Sequence, residues 1–208
     1  MIYALYNPFA GNNTCGEQSK KLSEFYKDGE LTFKSMAEVD YTEFFSSLGA
    51  DDKVIICGGD GTLNRFVNDT INVAINNDIL YYAAGSGNDF LRDVGKEKGA
   101  APFKINDYIS DLPTVTVNGR ETRFLNAIGF GIDGYCCEVG DKMREKADGK
   151  PVNYTSIAIK GLLGAFKPCD ATVIIDGAEK HYKKVWIAPT MHGRFYGGGM
   201  MPAPAQRR

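Results

Sequence analysis

The 208-residue chain lacks the marks of several protein classes. It has no apolar run approaching the ~18 residues of a membrane-spanning helix, so no transmembrane segment is expected. Its first residues, Met1 to Pro8, have neither a basic region nor a cleavage site, and they read as a first strand rather than a signal peptide. It has no basic excess, with 24 Lys and Arg against 26 Asp and Glu and a net charge of −2, which argues against nucleic acid as a partner. Its five cysteines, Cys15, Cys57, Cys136, Cys137 and Cys169, show neither paired metal-ligand spacing nor a disulfide framework. Reduced thiols in a cytoplasmic protein are the expectation. Internal repeats and low-complexity tracts are absent.

What is present is a pair of polar, side-chain-poor turns, each after an apolar run. Gly58-Gly59-Asp60-Gly61-Thr62 follows Val54-Ile55-Ile56-Cys57, and Gly85-Ser86-Gly87-Asn88-Asp89 follows Ile79 to Ala83. Between them Leu63, Phe66, Val67, Ile71 and Ile75 recur at helical spacing, predicting a helix over 62–75. Upstream lie a strand at 2–6 ending in Asn7-Pro8-Phe9-Ala10-Gly11, a helix over 16–27, a strand at 31–35 and a helix over 42–48 capped by Asp40 or Thr42. This alternation predicts an α/β fold with a doubly wound parallel sheet. Ligands of such sheets sit at the carboxyl ends of the strands, where Asn7, Pro8, Gly11, Ser35 and both glycine turns fall.

The pattern changes near Pro113. Residues 114–117 and 121–128, joined by Asn118-Gly119, read as a β-hairpin, and 171–175 with 180–187 around Asp176-Gly177 as a second. Helices are expected near 135–146 and 154–166. The expected division is an α/β nucleotide-binding domain over 1–110 and an antiparallel, β-sandwich-like domain over 111–208.

Phosphates need many donors and no bulk, which glycine turns and helix N-termini provide. Thr62, Ser86 and Ser35 offer hydroxyls, and Asn64 and Asn88 offer amides. Asp60 would repel phosphate unless it binds ribose, fixes the loop or has Mg²⁺ between. A plain strand-to-helix turn with Asp60 as cap is the simpler alternative. Arg92 either reaches a phosphate or is a solvated helix charge. His192 lies in the 189–193 loop, whereas His181 reads as a surface residue. Phe124, Phe130, Phe166, Phe195 and Tyr196 fit a lipid cleft or a packed core equally.

At these turns the sequence resembles the diacylglycerol kinase catalytic-domain family, which includes bacterial lipid kinases and sphingosine kinases. The resemblance rests on Asn7-Pro8-Phe9-Ala10-Gly11, Gly58-Gly59-Asp60-Gly61-Thr62-Leu63-Asn64 and Gly85-Ser86-Gly87-Asn88-Asp89-Phe90. It extends through Asn126-Ala127-Ile128-Gly129-Phe130-Gly131 and Tyr196-Gly197-Gly198-Gly199-Met200. It implies transfer of the ATP γ-phosphate, with Mg²⁺, to a lipid hydroxyl at a membrane surface, diacylglycerol giving phosphatidic acid being the first expectation. It implies ATP contacts at Asn7, Pro8, Gly11, Gly58, Gly59, Asp60, Gly61, Thr62, Asn64 and Ser86, with Ser35 a weaker candidate. Gly85, Gly87, Asn88, Asp89, Gly197, Gly198 and Gly199 would support the cleft. The family's Asp-Gly-x-Leu motif, which helps hold Mg²⁺, and its Asp-Gly-Glu motif, which supplies the base, are not among these 208 residues. Catalytic base and metal ligands are therefore unassigned, and the chain is expected to be the front part of something longer. The alternative reading is a nucleotide-binding fragment or regulatory module without catalysis, and an NAD kinase is a third. A homodimer is compatible with the sequence.

Overall fold

The computed structural model describes residues 1–11, 13–85, 87–146 and 152–208. Its centre is β3 (Lys53–Gly58), whose Val54, Ile55, Ile56 and Cys57 are all fully buried. A strand with no polar face needs cover on both sides. Val54 and Ile56 pack with Phe44 and Phe45 of α2 (Tyr41–Ser47) and with Leu63, Phe66 and Val67 of α3 (Asp60–Asp69). Ile55 and Cys57 face the other way, toward Cys15 of α1 (Cys15–Ser19) and Leu22 of the 3₁₀ turn Lys20–Glu24.

The sheet has the order β2-β1-β3-β4-β5. β1 (Ile2–Tyr6), β2 (Leu31–Ser35), β3 and β4 (Asp78–Ala83) are parallel, and the short β5 (Phe103–Lys104) runs antiparallel on the edge. The chain leaves β1 outward to β2 and returns across it to β3. The winding direction therefore reverses between β1 and β3, the place where α/β sheets bind ligands. The fold is doubly wound α/β, as its sequence predicts.

Local chemistry sets the helix ends. Asp40 is the cap of α2, accepting the Glu43 N–H at 3.0 Å. α3 stops at Asp69, six residues short of the predicted end. Thr70 turns its hydroxyl back onto the Phe66 carbonyl at 2.7 Å, and the following Ile71-Asn72-Val73 run favours helix poorly. The predicted helix over 16–27 is reduced to α1 and the 3₁₀ turn.

Between β4 and β5 lies α4 (Asp89–Asp93), and after β5 come α5 (Asn106–Ile109) and the hairpin of β6 (Thr114–Val117) and β7 (Arg120–Arg123). Its Asn118 and Gly119 both have positive φ, 52° and 77°, the form expected of an Asn-Gly turn. The predicted strand over 121–128 divides at Phe124–Asn126, where the Leu125 N–H turns to the Asn64 side chain.

Two compact units emerge, Met1–Asn126 with Met191–Arg208, and Ala127–Thr190. The division expected at residue 110 lies inside the first unit. The reason is α3: Asn68 donates to the Arg123 carbonyl and accepts its N–H, both at 2.9 Å, binding the hairpin to the parallel-sheet layer. The second unit holds β8 (Ala127–Gly131), α6 (Ile132–Lys146), α7 (Tyr154–Lys160) with the π-helical turn Gly161–Ala165, β9 (Cys169–Ile175) and β10 (Ala178–Val185). β11 (Ile187–Met191) ends it and pairs with β8. β9 and β10 are antiparallel around Asp176-Gly177. The antiparallel strands predicted for the second half are present among the described residues, with β6 paired to β7 and β9 to β10. No helix of the described residues is long and apolar enough to cross a membrane.

Candidate functional site

The two glycine turns lock onto each other at the carboxyl ends of β3 and β4. The Gly58 carbonyl accepts the N–H groups of Ala84 and Gly85 and the Tyr81 hydroxyl, all at 3.0 Å, while Asp60 N–H donates to Gly87 O at 3.0 Å. A Cβ on Gly59 would lie 2.6 Å from the Gly87 carbonyl oxygen, and one on Gly85 would collide with the Gly59 backbone. Glycine is required here because two main chains touch, and none of Gly58, Gly59 or Gly85 has positive φ. Several N–H groups expected to face phosphate are thus spent inside the protein.

Gly61 differs. It is exposed, and a Cβ there meets nothing within 4 Å. Its N–H, in the first turn of the ten-residue α3, has no acceptor among the described residues, whereas the Thr62 and Leu63 N–H groups both go to Gly59 O. The positive end of the α3 dipole is therefore open at Gly61.

The turn after β1 reaches the same place. Asn7 accepts the Phe9 N–H at 3.0 Å and donates to Thr62 Oγ1 at 3.1 Å, tying the end of β1 to the start of α3 across the switch point. Thr62 is buried, its side chain filling the space a Cβ on Gly58 would need. Gly11 has φ +60°, a conformation glycine adopts freely, and packs against Ala84 O. Pro8 lies in this turn. Asn7, Phe9, Met36, Ala37, Tyr41, Thr62 and Arg65 line a small cleft beside it. Ser35 ends β2, and its hydroxyl accepts the Ala37 N–H at 3.3 Å. Ser86 lies outside the described residues.

Asp60 points away from the open helix end. Its carboxylate accepts the N–H groups of Asp89 (2.7 Å) and Phe90 (3.1 Å) and a side-chain bond from Asn126. Burial raises its pKa above the ordinary Asp value, and these bonds only partly offset that. Of the roles weighed for it, the structure fits loop fixing. Asn64 is also turned aside, its Oδ1 on the Leu125 N–H at 2.9 Å.

α4 is a strut. At its start Asn88 donates to Gly85 O (3.2 Å), and Asp89 accepts the Gly198 N–H at 2.9 Å. Gly197, Gly198 and Gly199 all have positive φ, 61°, 86° and 120°, forming the tip of a tight loop closed by Tyr196 and Met200. At its end Asp93, 3% exposed, accepts from Arg194 Nε (2.8 Å) and Arg208 Nε (2.9 Å). Arg208, 6% exposed, also donates to Leu125 O and to Asn126 Oδ1 and lies over the Phe90 ring. Burial alone would push the Asp93 carboxyl up; the two guanidinium groups together outweigh it and hold the pKa below the ordinary value.

His192 is half-buried, and its pKa is lowered by burial and then by Arg208. In the second unit, Asp133 Oδ2 is buried without a hydrogen-bond partner among the described residues, and burial raises its pKa. Sequence spacing gave it no role. Cys15 and Cys57 are buried beside each other in the first unit, with burial pushing both thiols up, which makes them inert core groups.

Among the described residues no three His, Cys, Asp or Glu side chains converge on one point, and Asp60, Asp89 and Asp93 all hold protein donors.

Residues 1–114 match the diacylglycerol kinase catalytic domain. "Putative lipid kinase YtlR" of Bacillus subtilis is 26% identical over 172 residues, covering 73% of this chain and 53% of its own length. "Putative lipid kinase SERP0390" of Staphylococcus epidermidis is 26% identical over 200 residues, covering 92% of this chain and 63% of its own. The chain thus spans less than two thirds of these relatives. A solved structure, "A putative diacylglycerol kinase from Bacillus anthracis str. Sterne", is similar with a TM-score of 0.61 at 20% identity, over 99% of this chain and 71% of that one. That likeness speaks for the fold. With the family's domain matched over more than half its length, the chain belongs to the diacylglycerol kinase catalytic-domain family.

Proposed function

We propose that this chain binds ATP at its glycine turns and forms the nucleotide-binding part of a lipid kinase. The γ-phosphate passes to a lipid hydroxyl, diacylglycerol giving phosphatidic acid, with ADP released. The observation that carries this reading is the open N-terminus of α3 at Gly61, beside the β1–β3 switch point. A Gly61 N–H and a helix dipole there suit phosphate oxygens. Phosphoryl transfer asks mainly for positioning, and the interlocked turns are a rigid support for it.

The lipid is met at the membrane surface.

The test is titration with a fluorescent ATP analogue, followed by γ-phosphate transfer from Mg·ATP to diacylglycerol, phosphatidylglycerol, sphingosine and a polyprenol in micelles. Saturable ATP binding with transfer to diacylglycerol is expected. ATP binding without transfer would favour the non-catalytic module. Absence of ATP binding by the folded chain would overturn the reading.

A further inference from the structure

At the carboxyl end of α3, away from the glycine turns, lies a surface cavity of about 240 Å³. Phe66 and Ile79, both fully buried, form its floor, and Ile71, Val73, Ile75 and Ile109 wall it. Thr70 follows the last residue of α3, whose far end is open at Gly61. Ile79 is the second residue of β4, whose far end leads into the Gly85 turn. The cavity and the proposed phosphate site therefore sit at opposite ends of the same elements.

The polar side chains around the cavity are already used, with one exception. Thr70 donates its hydroxyl to Phe66 O at 2.7 Å, and Ser110 donates to Asp107 O at 3.3 Å. The Asn106 side chain accepts the Ile79 N–H at 2.8 Å and donates to Asn77 O at 3.0 Å. The exception is Arg123, which is half-buried. Asn68 holds its main chain, but its guanidinium makes no ion pair or hydrogen bond among the described residues. Among the described residues it is also the one charged side chain lining the cavity. A guanidinium beside an apolar hollow offers a fork of N–H donors that matches a carboxylate.

A ligand complementary to this lining has one anionic head and a hydrocarbon tail. A peptide fits poorly, because its own N–H and C=O groups need partners and the cavity has almost none to give. The volume limits the tail: 240 Å³ holds on the order of eight small groups, at about the 30 Å³ that one water takes in the liquid. We propose that this cavity binds a medium-chain fatty acid, with the carboxylate on Arg123 and the tail over Phe66, Ile71 and Ile79. The site lies outside the nucleotide cleft, goes beyond the kinase reading and needs no ATP to be occupied.

The experiment is calorimetric titration of the nucleotide-free chain with decanoate below its micelle-forming concentration, beside hexanoate, 1-decanol and decyltrimethylammonium. Amide NMR shifts locate the contact. Arg123→Gln removes the cation, and Ile71→Asp puts a charge into the apolar wall. Arg120→Gln, on the same hairpin but outside the cavity, controls for net charge. Circular dichroism checks folding, light scattering follows the oligomeric state, and ATP-analogue titration runs in parallel.

Decanoate should bind with shifts confined to residues 66–79, 105–110 and 123. Hexanoate should bind at least about tenfold more weakly, since each buried methylene is worth roughly fourfold. Affinity should stop rising beyond about ten carbons, when the cavity is full. Arg123→Gln should weaken decanoate by about tenfold or more and leave 1-decanol little changed. Ile71→Asp should weaken both, and Arg120→Gln neither.

Undiminished decanoate binding by folded Arg123→Gln would overturn the proposal, as would 1-decanol or the cationic amphiphile binding as tightly as decanoate. Shifts at residues 58–64 instead of 66–79 would put the ligand in the nucleotide cleft and overturn it. A dimer that covers the cavity and excludes decanoate, or no binding at all, would overturn it as well. Decanoate binding at 66–79 in a chain that takes no ATP would uphold the site and remove the nucleotide reading instead.

Discussion

The Asp60 carboxylate accepts the main-chain N–H of Asp89 at 2.7 Å, so the first glycine turn holds the helix that follows the second. Phe90 N–H and Asn126 complete the arrangement, and Asn126 in turn accepts from Arg208 at 2.7 Å. A residue that sequence places among phosphates is, in the folded chain, a junction between two turns and the segment that reaches residue 208.

That junction has a pH signature. Burial raises the folded pKa of Asp60 above its unfolded value, so its favourable contribution is complete below the unfolded pKa and is lost as pH rises through the folded pKa. Urea unfolding of wild type and Asp60→Asn across the acid range should show the wild-type advantage shrinking with rising pH. Asp60→Ala should cost about 1–3 kcal/mol in acid, less as pH rises, because it strands two N–H groups that now reach this carboxyl. A variant as stable as wild type would show that the loop does not need this carboxylate.

Asp93 should behave in the opposite sense. Two guanidinium groups hold its folded pKa below the unfolded value despite burial, so its contribution is present above the unfolded pKa and is lost as pH falls through the folded one. Asp93→Ala leaves Arg208 buried without its carboxylate and should cost about 3–5 kcal/mol. Thermal unfolding at neutral and acid pH checks both, the gap between variant and wild type narrowing in acid.

The parallel sheet, the segments that form its strands and the position of the turns were legible because periodicity and turn chemistry are local. Val54 to Cys57 announces a strand buried on both faces, and Asn118-Gly119 announces its hairpin. The partners of the candidate site residues were not legible. Asp93 meets Arg194 and Arg208 across 101 and 115 positions, and Asn64 meets Leu125 across 61. No spacing rule relates such pairs, so Asp60 and Asn64 read as ligand contacts although they face main chain. The unit boundary was hidden for the same reason, since the Asn68 side chain draws Arg123, 55 positions away, into the first unit.

Asn68 therefore gives a test of that boundary. It exchanges two bonds with the Arg123 backbone and donates to Asn64 O at 2.7 Å. Asn68→Ala removes all three and should lower stability by about 1–3 kcal/mol. Hydrogen exchange should then rise first across Thr114–Arg123 while β1 and β3 stay protected. Exchange rising evenly over the whole chain would show that the hairpin is not held to α3 through this residue.

The glycines separate architecture from ligand binding. Gly85→Ala puts a methyl group into the Gly59 main chain, where neither backbone can give way without breaking the bonds to Gly58 O. Overpacking of that kind typically costs about 1–3 kcal/mol or more. Gly61→Ala meets open space on a helix, and alanine favours helix over glycine by about 0.8–1 kcal/mol in helix interiors, so the variant should be as stable as wild type or slightly more so. If phosphate approaches α3 at Gly61, Gly61→Leu should keep the fold and weaken ATP binding by about tenfold or more, through bulk placed at the open N–H. Urea unfolding and ATP-analogue titration on Gly61→Ala, Gly61→Leu and Gly85→Ala decide between the two roles. Unchanged ATP affinity in a folded Gly61→Leu protein would move the phosphates away from the α3 N-terminus.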